Sequence, residues 1–185
     1  MKKRIFIIVI FIIISVILVA LLYFFNTIPH KQYSNSDFNI ETYISSVDKD
    51  NDGIDDQTDI LNNVRTYIAK KPKYKSKYYE TGYPDDEYGV CTDVVANGLK
   101  DAGYDLKELV NEDIINNKEK YNIEVIDKNI DFRRVRNLDV YLKNNSISLT
   151  KDLSQIEEWQ GGDIIVFKDH IGIISDKRNK KVFHF

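Results

Sequence analysis

Gly89-Val90-Cys91-Thr92-Asp93-Val94-Val95 reads as a loop turning into a helix, and it carries the only cysteine of the chain. Far downstream stands Gly162-Asp163-Ile164-Ile165-Val166-Phe167-Lys168-Asp169-His170-Ile171-Gly172-Ile173, an apolar strand pair bearing one of three histidines. Helices first and an antiparallel sheet afterwards define an α+β fold. A cysteine at a helix start, with a histidine on a distant strand, is also how thiol hydrolases are assembled, since the fold and not the sequence order brings the two together.

Around this pair the apolar spacing sets the other elements. Ile60, Leu61, Val64, Tyr67 and Ile68 recur at helical spacing in a helix starting near Thr58 and stopped by Pro72. Residues 72–90, rich in Tyr, Lys, Gly and Pro, read as an ordered surface loop. Helices are predicted over Thr92–Ala102, closed by Gly103, then from Leu106 to about Asn116 and from Arg133 to about Lys143. After Trp159 the period changes, and Asp163–Phe167, Ile171–Ser175 and Val182–Phe185 read as strands.

Residues 5–25 are an uncharged apolar run, long enough as a helix to span a bilayer. Lys2, Lys3 and Arg4 precede it and should stay cytoplasmic, so the rest of the chain is expected outside the cell membrane. The run exceeds a usual signal-peptide core and no A-x-A-like cleavage site follows, which favours an uncleaved signal anchor over residues 1–25. Residues 26–47 are expected to form an extracytoplasmic stalk. The net charge of −3 conceals a basic tip; beyond it the chain is acidic, which does not suit a nucleic-acid partner. A single cysteine excludes an internal disulfide framework and leaves a thiol that needs another use.

Residues 48–59, Asp-Lys-Asp-Asn-Asp-Gly-Ile-Asp-Asp-Gln-Thr-Asp, place oxygen donors where a calcium loop needs them. Asp48, Asp50, Asp52, Asp56 and Asp59 fall at positions 1, 3, 5, 9 and 12, Gly53 supplies the turn, and Ile54 offers its carbonyl. A structural Ca2+ is expected. The alternative is a solvated acidic linker.

Cys91 must ionise to act as a nucleophile, and a helix N-terminus favours the thiolate. Gly89 would allow close approach by a substrate backbone. His170 is the candidate base, and His184, on the next predicted strand, could orient it. Arg133 and Arg134 sit at a helix start, where they could clamp a substrate carboxylate or pair with Asp127 and Asp131. The alternative for Cys91 is a buried structural thiol.

Several motifs recur in order: Gly82-Tyr83-Pro84, Gly89 to Val95, Asp105 to Asp113, Asn129 to Leu138, Trp159 to Ile164 and His170 to Asp176. Together they resemble the YijF-like domain-of-unknown-function family, bacterial envelope proteins distantly similar to NlpC-type, papain-like cysteine peptidases of cell walls. The resemblance covers roughly residues 57–185. It implies a papain-like α+β core with Cys91 as nucleophile, His170 as base and His184 as the third polar residue. The family pattern usually has His and Pro where this chain has Phe132 and Arg136, and relatives continue past the point that matches Phe185, so either a C-terminally truncated form or a sheet short by an edge is expected.

Three functions compete. One is an anchored cysteine hydrolase acting on peptidoglycan peptides, with Tyr83 lining the substrate groove. Another is a calcium-stabilised ectodomain that only binds wall peptides or a partner. The last is a cysteine amidohydrolase or acyltransferase acting on lipid or small-molecule amides.

Overall fold

A computed structural model describes residues 2–25, 31–179, 182 and 183. Its first element, α1 (Lys2–Phe24), is one uninterrupted helix with no buried residue. At 1.5 Å per residue it reaches about 34 Å, enough to cross a hydrocarbon core.

The domain is α+β, with α2 (Asp56–Ala69) and α3 (Cys91–Asp101) as its central pair. Asp55 caps α2 by accepting the Thr58 N–H at 3.2 Å. One turn apart, Ile60 and Val64 turn inward against Val95, Ala96 and Leu99 of α3. The helices approach closely because Gly98 presents no side chain, and a Cβ there would collide with Val64. Next come α4 (Leu106–Asn116), the short α5 (Lys128–Asp131) and α6 (Val135–Asn145). Leu106, Val110 and Ile114 form a fully buried stripe along α4, and Phe132 and Leu138 complete the core.

The strands form three separate pairs. β1 (Lys73–Tyr74) and β2 (Tyr88–Gly89) run parallel within the segment expected to be a loop, in register Lys73 to Tyr88. β3 (Ile164–Val166) and β4 (Ile171–Ile173) form an antiparallel hairpin, Ile165 opposite Gly172. β5 (Arg178–Asn179) pairs with β6 (Val182–Phe183). Ile171 and Ile173 are buried, and β4 packs directly on α3.

The expected stalk is a correction from Tyr33 onward. Tyr33 bridges Arg178 through backbone hydrogen bonds of 2.7 and 2.8 Å, and Asn35 is buried. Arg178 explains this docking: its guanidinium donates to Asn35 Oδ1 at 2.6 Å and to the Ile156 and Trp159 carbonyls. Burial of a guanidinium without hydrogen bonds is costly, so these acceptors hold the N-terminal segment on the domain.

Candidate functional site

Cys91 is the first residue of α3 and is half-buried against the core. Three neighbours fix this helix start. Asp93 reaches back to the Val90 N–H at 2.8 Å, and the Thr92 hydroxyl donates to the Arg133 carbonyl at 3.1 Å. Arg133 then grips Asp93 with two hydrogen bonds, Nε to Oδ1 at 2.6 Å and Nη2 to Oδ2 at 2.9 Å. Nη1 donates to the Lys77 carbonyl at 2.7 Å, and the guanidinium lies 5.0 Å from the Tyr79 ring. Because Arg133 neutralises Asp93, the carboxylate does not cancel the positive end of the α3 dipole beside Cys91.

The Arg133 side chain is 2 % exposed and that of Asp93 fully buried. Of the two uses expected for this arginine, ion pairing inside the protein is the one found, but its partner lies across the fold rather than in its own loop. Arg134 pairs locally with Asp131 at 2.9 Å. Tyr83 is likewise occupied: its hydroxyl donates to Asp105 at 2.6 Å and its ring packs on Phe132 at 5.0 Å. Burial, and then the Asp105 carboxylate, raise the Tyr83 phenol above its ordinary range. Tyr83 therefore ties the loop before Cys91 to the cap of α4.

Gly89 has a different reason from the one expected. A Cβ here would collide with the Tyr67 hydroxyl, so it is the α2 tyrosine that comes close. That hydroxyl is buried and has no hydrogen-bond partner among the described residues. Burial, and then the nearby Asp93, push the Tyr67 phenol up. Sequence spacing marks Tyr67 only as a core residue of α2, and no local signal points it at the cysteine loop.

His170 immediately precedes β4 and is exposed, its ring stacked 6.4 Å from that of Phe167. The hairpin thus sets His170 beside a strand that lies on α3, whose first residue is Cys91. Among the described residues no hydrogen bond joins Cys91 to His170. His184 lies outside the described residues. The strand that leads to it, β6, pairs with β5, and the expected β4–β6 adjacency is not among the described strand pairs.

In the acidic loop, the carboxylates of Asp48, Asp50 and Asp52 come within 4.8 Å of one another. Backbone N–H groups of Asp52, Gly53 and Ile54 donate into them, and Gly53 takes a φ of 92° at the turn. Ile54 is exposed beside this cluster. Asp56 is used elsewhere, accepting the Lys49 N–H at 2.7 Å and the Tyr104 hydroxyl. Asp59 is buried in the first turn of α2, and burial, with Asp52 and Asp50 adding to it, pushes its carboxyl up. Three converging carboxylates offer the oxygen-only donor set that suits a hard divalent cation.

The family model for a domain of unknown function, DUF1287, matches residues 61–185. The Escherichia coli (strain K12) "Uncharacterized protein YijF" is 32 % identical over 130 residues, a match covering 63 % of this chain and 63 % of that relative. No solved structure matches. The chain therefore belongs to the DUF1287 family, whose matched region contains Cys91, His170 and the packed core apart from Ile60.

Proposed function

We propose that this protein is a membrane-anchored extracytoplasmic cysteine hydrolase acting on peptide amides of peptidoglycan, built on a papain-like core. The observation that carries this reading is the packing of β4, entered from His170, on the helix that Cys91 begins. In this mechanism the Cys91 thiolate attacks the amide carbonyl carbon and the C–N bond breaks. A proton from His170 leaves with the amine, giving a thioester. Water, deprotonated by His170, then releases the acid and restores the thiol. The N–H of Cys91 accepts no intrahelical role at this helix start and is the natural donor to the developing oxyanion. His184 is assigned the task of orienting the imidazole. The helix α1 holds the domain at the outer face of the membrane, with Lys2, Lys3 and Arg4 inside.

Purified cell wall incubated with the detergent-solubilised full chain, followed by mass analysis of the released fragments, tests this directly. New amine and carboxyl ends are expected, and they disappear with Cys91→Ala. Wall left intact by the wild type overturns the proposal. A second reading, a module that binds wall peptides without cleaving them, is favoured by the missing Cys91–His170 hydrogen bond. It predicts retention of the protein on wall without fragment release.

The same proposal gives Asp48, Asp50 and Asp52 a structural calcium. Its support is their convergence at the entry to α2, where an unneutralised cluster would repel itself. Bound there, calcium would neutralise those three carboxylates.

A further inference from the structure

At the base of the β3–β4 hairpin lies a groove of about 700 Å³. One wall is the segment 41–44; the other comes from Ile147, Leu149, Glu157 and Glu158. Gln160 fastens the walls together. Its amide donates to the Glu41 and Glu157 carbonyls, and its oxygen accepts the Tyr43 N–H at 3.2 Å. Gln57 and Asp163 close the floor, joined at 3.0 Å. Gln57 and Tyr67 are ten residues apart on α2, about 15 Å along its axis, so the groove is remote from the cysteine end of that helix.

Three properties of the groove specify an occupant. Its apolar lining is open to solvent: Ile147 is 86 % exposed and Ile44 70 %. Its charge has one sign, since Glu41, Glu157, Glu158 and Asp163 line it with no basic residue, and none of the three glutamates is in an ion pair among the described residues. Finally, its walls are irregular chain that Gln160 leaves partly unpaired. The N–H groups of Thr42, Ile44, Ile147 and Leu149 donate no hydrogen bond among the described residues. Free backbone donors can pair with an extended chain, exposed apolar side chains are covered by apolar ones, and carboxylates select cations. An anionic membrane surface would be repelled by the same carboxylates.

We propose that this groove docks an extended, lysine- or arginine-bearing apolar segment of a partner protein, independently of any chemistry at Cys91. The test uses the full chain in detergent micelles and two fluorescent peptides, one alternating valine with lysine and one alternating valine with glutamate. The lysine peptide is expected to bind saturably and the glutamate peptide not at all. Ile147→Asp, at a position too exposed to disturb folding, should weaken binding about tenfold or more. The double change Glu157→Gln with Glu158→Gln should do the same and flatten the salt dependence. Equal binding of both peptides, indifference to these changes, or no binding of either at about 1 mM overturns the proposal. So does self-association of the protein that Ile147→Asp abolishes, which would assign the face to a second copy of this chain.

Discussion

Arg133 and Asp93 form a fully enclosed bidentate ion pair, with contacts of 2.6 and 2.9 Å, two residues past Cys91. This pair joins the loop before α6 to the first turn of α3, and it leaves the helix dipole at Cys91 uncancelled. Replacing Arg133 by Met would strand the Asp93 carboxylate in the core. Urea unfolding should show a loss of about 3–5 kcal/mol, as expected for a broken buried pair. An unchanged midpoint would mean that the pair contributes nothing.

The Tyr67–Gly89 contact predicts a rescue. Gly89→Ala should destabilise by about 1–3 kcal/mol, because its methyl meets the Tyr67 hydroxyl in a packed interior. Tyr67→Phe removes that oxygen and with it an unpartnered buried hydroxyl, so alone it should be neutral or stabilising. Combined, the two changes should recover most of the loss, a coupling that thermal melts of the four proteins would reveal.

Acid sensitivity should concentrate in the segment before Cys91. The Asp86 carboxyl is held at about 2, first by its hydrogen bond from Lys77 and then by the Tyr79 hydroxyl and the Tyr88 N–H. Its folded value lies below the unfolded one, so the stabilisation is complete above about pH 4 and is lost as pH falls towards 2. Urea midpoints measured from pH 5 to pH 2 should decline. With Asp86→Asn that decline should be shallower.

Calcium should raise the melting temperature if Asp48, Asp50 and Asp52 hold it, since a ligand bound only to the folded state stabilises it by mass action. Chelator should lower the midpoint of the wild type and leave that of Asp50→Asn with Asp52→Asn unmoved. An identical midpoint with and without chelator would make residues 48–59 a charged linker.

The helical half of the fold was legible because its periodicity is strong. The reading of α4 from Leu106 to Asn116 matches the observed helix, where Leu106, Val110 and Ile114 repeat every turn. By contrast α6 begins at Val135, two residues later than expected, because Arg133 and Arg134 are bonded back to the Ile130 and Asp131 carbonyls in the turn that closes α5. The β1–β2 pair was invisible, since strands of two residues have no period to read. At the candidate site, Cys91 stood out as the only cysteine, and Asp48, Asp50 and Asp52 by their local spacing. The supports around Cys91 did not. Asp93 and Arg133 are separated by forty residues of sequence, and Tyr67 meets Gly89 through helix packing alone. Docking of residues 31–47 was missed for the same reason: Asn35 and Arg178 each look like ordinary surface residues until the fold makes them partners.

Alkylation of the full chain with iodoacetamide across pH decides whether Cys91 is a nucleophile served by His170. Cys91 is expected to react near pH 6 much faster than an ordinary thiol, which titrates at about 8.5, and His170→Ala is expected to remove this advantage. A wild-type rate that follows the free-thiol curve, unaltered by His170→Ala, would contradict it.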